Sequence, residues 1–190
     1  MKAIPTREQE AAEDVFFGQV VIIWARWFLI VAGAVLAVWT SHTSTRLALA
    51  VLPVVTLMAM NFTLHGRYLL ERPSNVRQII AASLLDLGLI TTIVVFWHDG
   101  AAIGRGLESP FFIFYYPALL GVAFVLPRKI SVLYTGLAVG VYGLASSWGV
   151  HGATDAKDLV LRLVTMTAVG GLGTYYWRIQ RDRRRAAATA

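Results

Sequence analysis

Six long apolar runs, separated by short patches that hold almost all of the charge, constrain this chain more than any other feature. They lie at about Val20 to Thr40, Leu47 to His65, Ile79 to Trp97, Pro110 to Leu126, Ile130 to Trp148 and Leu159 to Trp177. Each is close to the ~20 residues that an α-helix needs to cross ~30 Å of hydrocarbon. Composition agrees: 57% of the 190 residues are hydrophobic and 15% charged, against roughly 45–50% and 25% in soluble chains. A water-soluble fold is excluded. The expected fold class is all-α, a polytopic six-helix transmembrane bundle, with residues 1–17 as a short N-terminal segment, 18–177 as the transmembrane domain and 178–190 as a basic tail.

Basic residues set the expected orientation. One side of the alternating spans receives Lys2, Arg7, Arg67, Arg72, Arg77, Arg128, Lys129, Arg178, Arg181, Arg183, Arg184 and Arg185; the other receives Arg46, Arg105, Lys157 and Arg162. This asymmetry places both termini in the cytoplasm, and the multi-pass protein in a bacterial cytoplasmic membrane. The same layout accounts for the net charge of +6 without nucleic acid as a partner. Glu8, Glu10, Glu13 and Asp14 are unlike a cleavable signal peptide. Pro5 and Thr6 suit the start of a short helix lying on the membrane through Ala11, Ala12, Val15 and Phe16, or residues 1–17 are a plain polar lead-in.

Polar residues inside apolar runs are the first functional candidates. An ionised carboxylate facing lipid would cost roughly 2.5–3.5 kcal/mol, so Asp86 in the third span is expected to face protein or water. Arg26, between Trp24 and Trp27 in the first span, stands at a comparable depth and is the expected ion-pair partner, with Asn61 and His65 extending the polar group. The alternative is that Arg26 snorkels to the interface and Asp86 is a packing residue.

The second candidate is the outer loop from His98 to Ser109, which contains Gly100, Gly104 and Gly106 and leads into Ser109-Pro110-Phe111-Phe112. Serine at N-cap followed by proline at N1 is a helix-start signal. Free backbone N–H groups there, with Trp97, His98, Gly106, Ser109, Pro110, Phe111, Phe112 and Tyr115, are expected to hold a lipophilic, carbonyl-bearing ring, its tail running toward Tyr116. A capped helix with an aromatic belt is the structural alternative. Odd-numbered spans end in Trp39…His42, Trp97-His98 and Trp148…His151, which read as a hydrated rim. The competing reading, a metal site with Asp99, Glu108 or Asp155, lacks the usual tight ligand spacing, and no metal is expected.

Gly136-x3-Gly140 with Gly143, and Gly170, Gly171 and Gly173, make smooth helix surfaces suited to close packing or to a homodimer. Pro53 and Pro117 are expected to kink their spans. There are no cysteines, and no nucleophile elbow, P-loop, paired-histidine zinc helix or dinucleotide fingerprint occurs, so enzymatic activity is not expected.

From Asp86 to Phe112 the chain resembles the six-helix membrane input domain of bacterial sensor histidine kinases, particularly the RegB-type redox-sensing branch. In that family an Asp-containing third span leads to a Gly-Gly-x-x-Asn-Pro-Phe stretch associated with ubiquinone. Here the stretch reads Gly106-Leu107-Glu108-Ser109-Pro110-Phe111, with Arg105 in place of the first glycine and Ser109 in place of asparagine. Arg26-Trp27 and Asn61 are also similar to that domain type. The resemblance implies a non-catalytic, sensor-like membrane module that binds quinone or a similar lipophile and signals to a cytoplasmic partner. After Trp177 the sequence is arginine-rich and holds neither a phospho-accepting histidine helix nor an ATP-binding domain. The alternative is therefore an accessory subunit of a larger respiratory or photosynthetic membrane complex.

Overall fold

The computed structural model describes residues 7–40, 43–70, 75–96, 107 and 109–189, and these are helical apart from short turns. The helices are α1 (Arg7–Thr40), α2 (Ser44–Leu69), α3 (Val76–Phe96), α4 (Tyr115–Val125), α5 (Arg128–Ser147) and α6 (Ala153–Thr189), with a 3₁₀ turn at Pro110–Phe114 before α4. The all-α class is as expected. Among the described residues three helical stretches, Gly18–Trp39, Val76–Val95 and Arg128–Ser147, are long and apolar enough to cross a membrane, where the sequence reading has six.

Three elements differ from the sequence reading for identifiable reasons. The N-terminal segment does not form a separate helix: α1 runs unbroken from Arg7 into the first span, because no proline or glycine interrupts residues 7–17. The fourth run opens with a 3₁₀ turn and leaves an α-helix of only 11 residues. Its apolar stretch Phe111–Val125 would rise only about 22 Å. At the other end, α6 continues past Trp177 through the arginine-rich residues to Thr189. Arginine and alanine are strong helix formers, and nothing stops the helix there.

The chain divides into two compact units, Met1–Leu85 and Asp86–Ala190. In the first, α1 and α2 form an antiparallel hairpin: Gln19 Nε2 donates to the Leu64 carbonyl at 3.0 Å, Asn61 Nδ2 donates to the Ile23 carbonyl at 3.2 Å, and Trp27 meets Phe62 edge-on. The hairpin interior sets three polar side chains, Gln19, Arg26 and Asn61, among apolar ones, and its outer side is apolar. Gln19, Ile23, Arg26, Ile30 and Ala37 are buried along one stripe of α1, while Trp24, Phe28, Val31, Val35 and Val38 are exposed along the opposite one. Their spacing of three and four residues makes a continuous apolar face. Water would make that face costly, and hydrocarbon would not.

In the second unit α4 and α6 run parallel, and α5 runs antiparallel to both. Tyr142 of α5 meets Arg162 of α6 near one end, and Thr135 meets Gly170 further along. Pro127 makes the sharp α4–α5 turn, and the Ser131 hydroxyl closes it on the Leu126 and Val122 carbonyls at 3.1 and 3.3 Å. Two glycines set how closely α6 approaches its neighbours. A Cβ on Gly170 would lie 2.5 Å from Thr135 Oγ1, and one on Gly173 would lie 3.0 Å from the Ala123 Cβ. Gly136 and Gly140 have nothing within 4 Å of an added Cβ and lie exposed on α5. The internal close contacts are thus made by the α6 glycines, while the Gly136-x3-Gly140 face stays open.

Candidate functional site

Ser109 caps the turn before α4 as the sequence suggests. Its backbone is extended, and its Oγ accepts a hydrogen bond from the Phe111 backbone N–H at 3.4 Å, with Pro110 at the first position. The hydroxyl thereby takes up one of the N–H groups that the ligand reading left free. It caps a five-residue 3₁₀ turn rather than a long helix.

The aromatics that follow separate by direction. Phe111 is buried with its ring 5.7 Å from that of Phe114, so it is part of the packing. Tyr115 is fully buried: its hydroxyl lies 2.8 Å from Thr91 Oγ1 and its ring meets Tyr142 at 5.3 Å, edge to face. Thr91 Oγ1 donates its single hydrogen to the Leu87 carbonyl at 2.7 Å, so Tyr115 is the donor to Thr91. Phe112 points another way, toward α6, where the Arg162 guanidinium lies 3.9 Å above its ring centroid.

Arg162 joins these pieces. Its Nη1 donates to the Tyr142 hydroxyl at 2.9 Å while its Cζ lies over the Phe112 ring. Phe112 in turn packs edge-on against Tyr116 at 6.0 Å, and the Tyr116 hydroxyl donates to Thr165 Oγ1 at 3.3 Å. One turn beyond Tyr142 on the same buried face of α5, Ser146 Oγ has no hydrogen-bond partner among the described residues. The outcome is a half-buried guanidinium over an aromatic ring and bonded to a tyrosine hydroxyl, with the exposed apolar residues Ile113 and Leu161 adjacent in sequence to Phe112 and Arg162. An arginine so placed has geometrically fixed donors and can hold an oxygen-bearing headgroup.

Of the residues singled out in the sequence, Ser109, Phe111, Phe112 and Tyr115 lie together around this cluster. Trp97, His98 and Gly106 fall outside the described residues, as do His42, Asp99, Arg105 and Glu108. His151 is exposed; its backbone N–H donates to Asp155 Oδ2 at 3.0 Å, a cap on the start of α6. No group of three metal-ligating side chains is present among the described residues. Arg26 and Asn61 share the interior of the α1–α2 unit, at 2% and 0% exposure, and Asp86 is buried in the second unit. Arg162, Tyr142 and Thr91 were missed. Their signal was present in the sequence: an arginine four residues inside an apolar run is as anomalous as Asp86, but counting it as a flanking charge concealed it.

Comparison with protein-family profiles, with characterised proteins and with solved structures returns no match.

Proposed function

We propose that the chain is a non-catalytic, six-span membrane module of the bacterial cytoplasmic membrane, both termini cytoplasmic, similar in type to the input domains of sensor kinases. It binds a quinone or similar lipophile in the α4–α6 unit and passes a helix displacement to a cytoplasmic partner. The observation that carries this reading is the continuity of α6: one helix of 37 residues, about 55 Å long, bears Arg162 near its start and the run Arg178 to Arg185 near its end. A ligand that shifts the guanidinium moves the same rigid rod that presents the basic segment. The site supports it chemically, since the guanidinium of Arg162 offers donors to a carbonyl headgroup while exposed apolar side chains of α6 accompany a tail.

Phe112 is the discriminating residue, because Phe111 is buried against Phe114 and its removal would disturb packing. Full-length protein purified gently from membranes is expected to carry quinone above background, and Phe112→Leu to lose it while keeping its fold. Equal, background quinone in both would remove the ligand from this reading. Topology is read by fusing alkaline phosphatase after Arg185; an enzyme active outside the cell sinks the six-span arrangement.

A second reading, an accessory subunit of a membrane complex, is favoured by the open glycine face of α5, where Gly136 and Gly140 lie exposed between Leu133 and Leu144. Such a face admits another helix at short range. Co-purification of stoichiometric partner subunits would move the weight to this reading.

A further inference from the structure

Charge distinguishes the headgroups that Arg162 would accept. Its guanidinium is half-buried, and among the described residues no carboxylate lies within ion-pair distance of it. Asp158, one turn earlier on α6, is exposed and does not reach it. One N–H of five goes to the Tyr142 hydroxyl, and the guanidinium carbon lies 3.9 Å from the Phe112 ring centroid. The other four N–H groups have no hydrogen-bond partner among the described residues, and the planar fork of arginine fits an oxyanion. Two apolar neighbours in sequence, Leu161 before Arg162 on α6 and Ile113 after Phe112, are each more than half exposed. A half-buried cation with no counter-ion among the described residues favours an anion over a neutral carbonyl.

We propose that Arg162 is the headgroup anchor of a site for an anionic glycerophospholipid, its phosphate held by the guanidinium edge and its acyl chains laid along the exposed apolar residues of α6. The proposal rests on the ligand site described under Proposed function and replaces a neutral quinone by an anionic lipid as its occupant. Tyr142 fixes the guanidinium in place and Phe112 supports it from below. The neighbouring hydroxyls of Tyr116 and Thr165 are bonded to each other, and that bond braces α4 against α6 beside the headgroup.

The test uses the full chain in nanodiscs, with lipid binding read by native mass spectrometry and by thermal shift. Phosphatidylglycerol is compared with phosphatidylcholine, a short-tailed benzoquinone and inorganic phosphate. The wild type is expected to prefer phosphatidylglycerol to phosphatidylcholine by about tenfold, and Arg162→Gln to lose most of that preference. The arginine-rich end of α6 also attracts anionic lipid, so a variant with Arg178, Arg181, Arg183, Arg184 and Arg185 all changed to Gln serves as control and should keep most of it. Arg162→Lys, which retains charge without the planar fork, is expected to fall between, and covers the case in which the glutamine variant fails to fold. A preference unchanged in both Arg162 variants overturns the proposal, as does equal protection by inorganic phosphate, which would mark a free-oxyanion site. Benzoquinone bound through Arg162 with no lipid preference overturns it while leaving the quinone reading standing; binding of neither removes both.

Discussion

Arg26 and Arg162 both sit on apolar helices, yet the two units of the chain treat them in opposite ways. In the α1–α2 unit, Arg26 is 2% exposed and belongs to a polar interior with Gln19 and Asn61, whose side chains bond backbone carbonyls of the facing helix. In the second unit, Asp86–Ala190, Arg162 is half-buried, over the Phe112 ring and bonded to Tyr142. The first arrangement spends polar groups on joining two helices; the second leaves guanidinium N–H groups without a partner among the described residues. The difference assigns a structural part to Arg26 and a recognition part to Arg162.

The largest expected effect breaks that comparison if it fails. Arg26→Ala removes a large side chain from a closed interior and should lower the stability of the protein by about 2–5 kcal/mol, the range for large-to-alanine changes in cores. Arg162→Ala removes a half-buried side chain and one hydrogen bond, and should cost about 1 kcal/mol. Unfolding in mixed micelles measures both, and similar losses for the two variants would remove the distinction between the units.

Packing in the second unit gives the next effect. The Gly170 position is occupied by Thr135 so closely that any Cβ there displaces it, whereas the Gly136 position is empty. Gly170→Ala is expected to destabilise by about 1–3 kcal/mol as an overpacked site, and Thr135→Ala to recover part of that loss. Gly136→Ala should be neutral for the isolated chain. If Gly136→Ala weakened association while leaving monomer stability intact, the open face of α5 would be an interface between chains.

How much of this was legible beforehand follows from the kind of signal each feature leaves. Apolar runs with charged punctuation made the helices readable because length and hydropathy act locally. The Ser109-Pro110 start was readable for the same reason. Arg26, Asn61 and Asp86 were readable as anomalies of polarity, and all three are buried. The Arg162 cluster was not, since it is assembled from α3, α4, α5 and α6, and the four-residue depth of Arg162 looks on paper like the end of a span. Nor did sequence show that the fourth run begins as a 3₁₀ turn, because Pro110 satisfies the first turn of either helix type. The unbroken α6 was hidden by reading a charged stretch as a tail, although arginine favours helix.

Removing the tie between Arg162 and α5 sharpens the recognition part of the comparison. Tyr142→Phe keeps the ring that packs against Tyr115 and deletes the acceptor of the Arg162 N–H bond. The expected loss of stability is about 1 kcal/mol. Ligand binding should fall further than stability does, because the guanidinium then samples several orientations over Phe112 and must be ordered again on binding. A variant that binds as the wild type does would show that stacking alone orients the arginine.

The smallest effect concerns the other end of the same cluster, where Thr91 and Tyr115 join α3 to α4. Because Thr91 Oγ1 gives its hydrogen to the Leu87 carbonyl, it can only accept from Tyr115, and the pair has one polarity. Thr91→Val keeps the shape and removes the acceptor; Tyr115→Phe keeps the ring and removes the donor. Either change alone strands one buried partner, so the double variant should be less destabilised than the sum of the two. Hydrogen bonds between membrane helices measured in this way average about 0.6 kcal/mol and reach about 1.7, and the upper half of that range is expected here because Tyr115 is fully buried. A coupling indistinguishable from zero in the four-variant unfolding cycle would mean that the ring packing of Tyr115 on Tyr142 holds this part of α4 without help from the hydroxyl.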